Sequence, residues 1–163
     1  MKTPIIIIRL IFVVLAFAFL QQFIIPLGVY TVAQIFPGEL IGLTNRDRAF
    51  LRLSRLRIDP LLMEAAEMKA RHMAENGYFS HGSPDGESPW YWFDLVGYPY
   101  SYAGENLALN FEDSKDVEQA WMESALHREN ITSQDFSDIG LGLATGTYYG
   151  RPDTYVVQRF GKK

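Results

Sequence analysis

The chain has 163 residues, of which 48% are hydrophobic and 21% are charged, and its formal net charge is −4 at pH 7. This length accommodates one domain and a short additional segment. Lys2 and Arg9 are the only charged residues among the first 33, so the remainder carries 13 basic and 19 acidic residues. That acidic balance argues against nucleic acid as a partner, because phosphate binding depends on accumulated lysine and arginine. The absence of cysteine excludes thiol catalysis.

The N-terminal segment is strongly apolar. Residues 5–25 contain only three polar positions, and as a helix they would be about 30 Å long, which matches the hydrocarbon core of a bilayer. We predict an uncleaved membrane anchor within residues 1–30, with the N-terminus cytoplasmic and the rest of the chain extracytoplasmic. The alternative is a cleaved secretory signal, for which Ala16-Phe17-Ala18 and Thr31-Val32-Ala33 are weak cleavage sites, and the domain would then be secreted.

Glycine and proline in residues 31–42 predict a linker, so the domain is expected to span residues 43–163. Apolar residues between Leu43 and Leu56 predict a first helix. Arg48, Arg52 and Arg55 would share one face of this helix. We interpret them as a solvated stripe, with contact to anionic lipid headgroups as the alternative.

The second helix has clear boundaries. Asp59 is a suitable N-cap, Pro60 suits the first helical position, and Asn76-Gly77 provides a left-handed stop, which predicts a helix over residues 61–75. Residues 88–96 are rich in aromatic side chains and predict a short third helix. Its rings are expected to fill the core, with an exposed platform for sugar or peptide as the alternative.

The remaining elements are one helix and two strands. Residues 116–124 predict a fourth helix, and residues 139–144 and 154–160 predict strands joined by a hairpin loop over 148–153. Helices early in the chain and strands late in the chain indicate an α+β domain.

Three short segments occur in a defined order: residues 77–81 (Gly-Tyr-Phe-Ser-His), residues 104–106 (Gly-Glu-Asn) and residues 121–130 (Trp-Met-Glu-Ser-Ala-Leu-His-Arg-Glu-Asn). With the Gln-Arg-Phe-Gly sequence at 158–161, they resemble the CAP superfamily of cysteine-rich secretory, antigen 5 and pathogenesis-related 1 proteins, in its bacterial form without disulfides. The resemblance implies a three-layer α-β-α sandwich with a small antiparallel sheet and a groove across one face.

The resemblance also implies a site in that groove. The positions of His81 and His127 match two histidines that face each other in the family, and Glu105 matches the glutamate of the groove. The family's fourth, acidic position is Ser124 in this chain, directly after Glu123. If the helix continued, Glu123 and His127 would lie four residues apart on one face, and Glu123 would orient the imidazole. If the helix ended, Glu123 would face solvent.

Two imidazoles and a carboxylate form a ligand set that suits zinc or another divalent metal, with His81 and His127 as metal ligands and Glu105 as a candidate base. Asn106 is expected to support the groove from beside Glu105. The alternative is a hydrogen-bonded polar cluster without metal. His72 shares a helix face with apolar residues and is expected to lie outside the site.

We therefore predict a membrane-tethered extracytoplasmic domain that acts as a binding or interaction module for an envelope lipid, peptide or polysaccharide. One alternative is a metal-dependent hydrolase of envelope peptide or polysaccharide. The other is a scaffold for envelope proteins. We favour binding over catalysis because the sequence lacks both the His-Glu-x-x-His signature of zinc hydrolases and a Gly-x-Ser-x-Gly elbow.

Overall fold

A computed structural model describes residues 34–163, which form one compact unit. The helices are α1 (Pro37–Phe50), α2 (Pro60–Asn76), α3 (Tyr91–Leu95), α4 (Ser114–Glu123) and α5 (Ala125–Thr132). The strands are β1 (Arg57–Ile58), β2 (Tyr102–Ala108), β3 (Asp138–Tyr148) and β4 (Arg151–Lys162). The predicted anchor lies outside the described residues. Within residues 34–163, no helix has the length and apolar character needed to cross a bilayer.

The four strands form one sheet in the order β1-β3-β4-β2. β3 pairs with β4, and β4 with β2, in antiparallel register, whereas the two-residue β1 pairs with β3 in parallel. The predicted small antiparallel sheet is therefore confirmed, with one short parallel strand at its edge. β2 occupies the opposite edge. The backbone on its outer side is therefore not paired with another strand of this sheet, and residues of the helical layers can bond to it.

Helices cover both faces of the sheet. α2 packs closely on β3, because a Cβ atom at Gly140 or Gly142 would collide with the α2 backbone at Leu62 or Ala66. The opposite face is covered by α1, α4 and α5, whose buried residues form a second core with Leu141 and other strand residues. The arrangement is the expected α-β-α sandwich.

The first helix differs from its prediction. α1 begins at Pro37, inside the segment predicted as a linker, and ends at Phe50. Shortly after this end, Arg52 adopts a left-handed backbone conformation with φ of 60°. Arg48 is 1% exposed. The solvated stripe of Arg48, Arg52 and Arg55 on one helix face is therefore wrong, because the helix stops before Arg52 and the first of the three side chains is buried.

The prediction for the second helix is confirmed. Asp59 Oδ1 accepts hydrogen bonds from the backbone N–H groups of Leu61 at 2.9 Å and Leu62 at 3.3 Å, and Gly77 has φ of 64°. In α3, Trp92 and Phe93 are buried, so the aromatic segment contributes to the core as expected.

Two elements around the family segments, β2 and α5, were not predicted, whereas the predicted end of the fourth helix near residue 124 is confirmed. Residues 104–106 lie on β2, a strand that the sequence pattern did not reveal. The fourth helix ends at Glu123 because Ser124 is extended, with ψ of 123°, and a separate helix α5 carries His127. Both differences determine how the polar residues of this region are oriented.

Candidate functional site

The candidate site is built around the edge strand β2. Because side chains alternate along a strand, Glu105 faces the layer of α2 while Asn106 faces the layer of α1, α4 and α5. His81 follows α2, and His127 lies on α5. The two histidines thus approach the same strand from opposite layers.

Glu105 is held between a guanidinium and an imidazole on the α2 side. Its Oε2 lies 2.7 Å from Nη2 of Arg159, and its Oε1 lies 2.7 Å from Nδ1 of His81. The side chains of Glu105 and Arg159 are 1% and 0% exposed, whereas that of His81 is 54% exposed. This row of three groups, the Arg159–Glu105–His81 row, runs from the core to the surface.

The row determines which nitrogen of His81 is available. An ionised carboxylate only accepts hydrogen bonds, so Nδ1 of His81 carries a proton and donates it to Glu105. In the neutral imidazole, Nε2 then has the lone pair. His81 can therefore offer Nε2 to a ligand, as an acceptor or a metal ligand.

The contact between Arg159 and Glu105 is an ion pair whose angles depart from hydrogen-bond geometry, although the atoms are close. Burial lowers the pKa of Arg159, and the charge of Glu105 opposes this effect. Arg159 Nη1 donates to the carbonyl oxygen of Pro89 at 2.8 Å. A buried carboxylate and a buried guanidinium compensate each other here, and each depends on the other.

Lys69 fixes the backbone of His81. This lysine lies on the buried face of α2, and its Nζ donates to the carbonyl oxygen of His81 at 2.9 Å and to the hydroxyl of Tyr78 at 3.1 Å. Nζ also lies 4.1 Å from the centre of the Trp92 ring. Burial lowers the pKa of Lys69 to about 8, against the opposing charge of Glu105.

His72 lies behind this group. Its Nδ1 is 2.8 Å from the Tyr78 hydroxyl, and its ring packs edge-on against Tyr78 and Trp92. His72 is thus linked to the backbone of His81 through Tyr78 and Lys69, without a direct contact to Glu105. The structure places it outside the site, behind the loop that carries His81.

On the other face, amide side chains hold α5 against β2. Asn106 Nδ2 donates to the carbonyl oxygen of His127 at 3.2 Å, and Asn130 Nδ2 donates to Asn106 Oδ1 at 2.8 Å and to the carbonyl oxygen of Glu105 at 3.1 Å. Burial lowers the pKa of His127, and the nearby charge of His81 lowers it further. The two imidazoles are therefore electrostatically coupled, and His127 favours its neutral form.

The amide contacts continue into the core. Asn106 Nδ2 also donates to Gln158 Oε1 at 3.0 Å, Gln158 Nε2 donates to Thr44 Oγ1 at 2.9 Å, and Thr44 donates to Glu118 Oε2 at 2.8 Å. Burial raises the pKa of Glu118 to about 7. This chain of side chains from Asn130 to Glu118, the amide network, connects the site with α1 and α4.

Glu123 does not join the other predicted site residues. Gln119 Nε2 donates to Glu123 Oε1 at 2.8 Å on the exposed surface of α4. Because α4 ends before Ser124, the continuous helix that would have placed Glu123 and His127 on one face is replaced by two helices. The orienting role of Glu123 toward His127 is therefore wrong, and Glu123 faces solvent as in the alternative.

The side chains around His81 and His127 form an incomplete ligand set for a metal ion. Within residues 34–163, the structure contains no group of three or more histidine, aspartate or glutamate side chains positioned to hold one. The support of His81 Nδ1 by a carboxylate is nevertheless the arrangement found behind metal-binding histidines. A divalent ion here would rely on His81 and His127, because both carboxylate oxygens of Glu105 already contact the side chains of His81 and Arg159.

Sequence reasoning missed the side chains that support this site. Arg159 and Gln158 interrupt the apolar run from Val156 to Phe160, and Lys69 lies among alanines on the buried face of α2. A charged or amide residue in an otherwise apolar pattern was the available signal. Its partners could not be named, because they come from distant parts of the chain.

Comparisons with known proteins extend these observations. The profile of the cysteine-rich secretory protein family, CAP, matches residues 41–160. The protein YkwD of Bacillus subtilis strain 168 is 38% identical over 107 residues, which is 66% of this chain and 42% of YkwD. The chain thus spans less than half the length of this relative.

Solved structures show the same fold. An extracellular protein from Bacillus anthracis that contains an SCP domain matches with a TM-score of 0.66 and 28% identity, over 78% of this chain and 40% of that protein. An outer surface protein from Borrelia burgdorferi matches with a TM-score of 0.66 and 26% identity, over 77% of this chain and 91% of that one. Each match covers more than three quarters of this chain.

Proposed function

Because the chain belongs to the CAP family of cysteine-rich secretory proteins, we propose that it is an extracytoplasmic binding module, tethered by its apolar N-terminal segment. Its ligand, an envelope lipid, peptide or polysaccharide, binds at His81 and His127 beside the edge strand β2. The names of the similar proteins support the location, since one is extracellular and another is an outer surface protein. The apolar run of residues 5–25 supports the tether.

The Arg159–Glu105–His81 row is the observation that carries this proposal. A general base needs a carboxylate that can take up a proton, whereas both oxygens of Glu105 lie 2.7 Å from cationic or proton-donating groups. The same contacts orient His81 so that Nε2 is offered to a ligand. The geometry favours recognition by a preorganised imidazole over proton transfer by Glu105.

A divalent metal ion is compatible with this role. The coupled imidazoles of His81 and His127 would hold the ion, with Glu105 supporting His81 from behind. Bound at this position, a metal ion would supply Lewis acidity toward an oxygen-containing ligand.

The test measures zinc binding and co-purified small molecules on the full chain in detergent. Wild type is compared with His81→Ala and His127→Ala, and His72→Ala serves as the matched histidine control. We expect zinc or a co-purified ligand to be lost in the first two variants and retained in the third. Equal retention in all four proteins would overturn the proposed site.

The same proteins test the hydrolase alternative. A hydrolase requires turnover of envelope peptide or polysaccharide, and Glu105→Gln would abolish that turnover while preserving the side-chain shape. The binding role predicts that neither wild type nor any Glu105 variant hydrolyses these substrates. A scaffold would instead retain its partner proteins after both His81 and His127 are replaced by alanine.

A further inference from the structure

The end of α1 carries an unusual surface. Phe50 is 87% exposed and Leu51 is 47% exposed, although both are large apolar residues. Arg52 follows directly, Arg55 lies three residues further on, and both are also exposed. We call residues 50–55 the α1 tip. Neighbouring apolar and cationic side chains of this kind are typical of segments that contact the interface of a membrane.

The exposure of the tip is not a result of a loose loop. Asn45 Nδ2 donates to the carbonyl oxygen of Leu56 at 3.1 Å, and the N–H of Leu56 donates to Asn45 Oδ1 at 2.7 Å. Arg48 Nε donates to the carbonyl oxygen of Ser54 at 2.9 Å. The inner side of the loop is therefore fastened to α1, and its outer side presents Phe50 and Arg52 in a defined conformation.

The charge of the tip contrasts with that of the domain. Residues 34–163 have six more acidic than basic side chains, yet the tip contains two arginines and no acidic residue. Among the described residues, neither Arg52 nor Arg55 takes part in an ion pair, whereas the nearby Arg46 and Arg57 pair with Asp47 and Asp138. The unpaired positive charge is concentrated beside the exposed apolar side chains.

A small cleft lies next to the tip. It has a volume of about 240 Å³ and is lined by Arg48, Arg52, Leu53, Ser54, Gln134 and Phe136. The exposed guanidinium of Arg52, the hydroxyl of Ser54 and the amide of Gln134 are suitable donors for a phosphate ester. The cleft therefore adds neutral hydrogen-bond donors beside Arg52, toward the loop after α5.

We propose that the α1 tip docks on an anionic phospholipid surface. Arg52 and Arg55 contact lipid phosphates, and Phe50 and Leu51 enter the interface between headgroups and acyl chains. Charge complementarity identifies this partner, because the two unpaired arginines of the tip attract lipid phosphates. The rest of the domain is acidic and would be repelled by an anionic membrane. Docking would orient the domain on the membrane and is independent of ligand binding at His81 and His127.

The absence of cysteine from the chain permits a direct test. The full chain is inserted in nanodiscs of phosphatidylcholine, with or without phosphatidylglycerol, and carries one fluorescent label at Phe50→Cys. Tyr149→Cys is the matched control, because Tyr149 is an equally exposed aromatic residue on the β3–β4 turn, at 89%. Protection of each label from a water-soluble quencher is measured.

We expect protection at position 50, but not at 149, only in discs that contain phosphatidylglycerol. Since each arginine near an anionic surface contributes about five-fold in binding, Arg52→Glu or Arg55→Glu should reduce the docked-to-undocked ratio at least about five-fold. Zinc and ligand binding should be unchanged in these variants. Equal quenching at both positions, or protection that persists in phosphatidylcholine or after charge reversal, would overturn the proposal.

Discussion

The two faces of the edge strand β2 each hold one histidine, but they do so through different kinds of interaction. On the α2 face, the Arg159–Glu105–His81 row and Lys69 bring full charges together, with opposite charges in contact. On the other face, the amide network uses neutral donors and acceptors and ends at Glu118, whose pKa burial raises to about 7. One histidine is thus supported by charge, and the other is held in a neutral environment.

The comparison shows why the two histidines are not equivalent. His81 is mostly exposed and receives its orientation from a buried carboxylate, whereas His127 is held through its backbone carbonyl oxygen by Asn106. A ligand would therefore meet one preorganised imidazole and one that resists protonation. Four changes test this difference, beginning with the largest expected effect.

Removing the buried cation should have the greatest consequence. Arg159→Met leaves Glu105 as a buried charge without its guanidinium partner and should lower the free energy of unfolding by about 3–5 kcal/mol. Urea unfolding measures this effect. The double variant Arg159→Met/Glu105→Gln should recover most of the loss, because it removes both charges. A single variant as stable as wild type would show that the ion pair is unimportant.

Adding a side chain at Gly104, on strand β2, should also destabilise the fold. A Cβ at Gly104 would lie 2.7 Å from Phe136 Cζ and 3.0 Å from Asn130 Oδ1, so Gly104→Ala should lower the unfolding free energy by about 1–3 kcal/mol. Thermal and urea unfolding would measure the change. Gly42→Ala is the control, because its Cβ would meet nothing within 4 Å in α1, and it should stabilise by about 0.5–1 kcal/mol. Equal effects would contradict the close approach at Gly104.

The contribution of the amide network to stability should depend on pH through Glu118. Its folded-state pKa of about 7 exceeds its ordinary value of 4.5, so its contribution to stability is present below pH 4.5 and is lost as the pH rises through 7. Glu118→Gln should therefore stabilise the fold by about 1–3 kcal/mol at pH 8 and have little effect below pH 4.5. Unfolding measured across this pH range tests the sign, with the exposed Glu123→Gln as control. A pH-independent difference would contradict a protonated Glu118.

The smallest effect concerns the coupling between the histidines. The pKa of His127 is lowered first by burial and then by the charge of His81, so His81→Ala should raise the pKa of His127 while leaving it below its ordinary value. NMR titration of the imidazole protons measures both steps. His72→Ala should leave the titration of His127 unchanged. An unchanged pKa in the His81 variant would show that the imidazoles are too far apart to share a ligand.

Local signals in the sequence determined much of the fold. The bounds of α2 follow from Asp59, Pro60 and Gly77, because caps and left-handed stops act within a few residues. The family segments brought His81, Glu105 and His127 into consideration. The prediction failed where local pattern was weak: β2 shows no alternation, and the short helix α5 was not foreseen.

Tertiary structure alone decided what those residues do. Glu105 contacts Arg159, its partner in the β2–β4 pairing. Lys69 on α2 donates to the backbone of His81, which lies twelve residues later in the sequence. Burial then decides which charges must be paired and which pKa values shift, and burial depends on the packing of all layers together. The sequence by itself determined which chemical groups were available and in what order. Their partners, and hence the choice between a base and an orienting group at Glu105, arose only from contacts between distant segments.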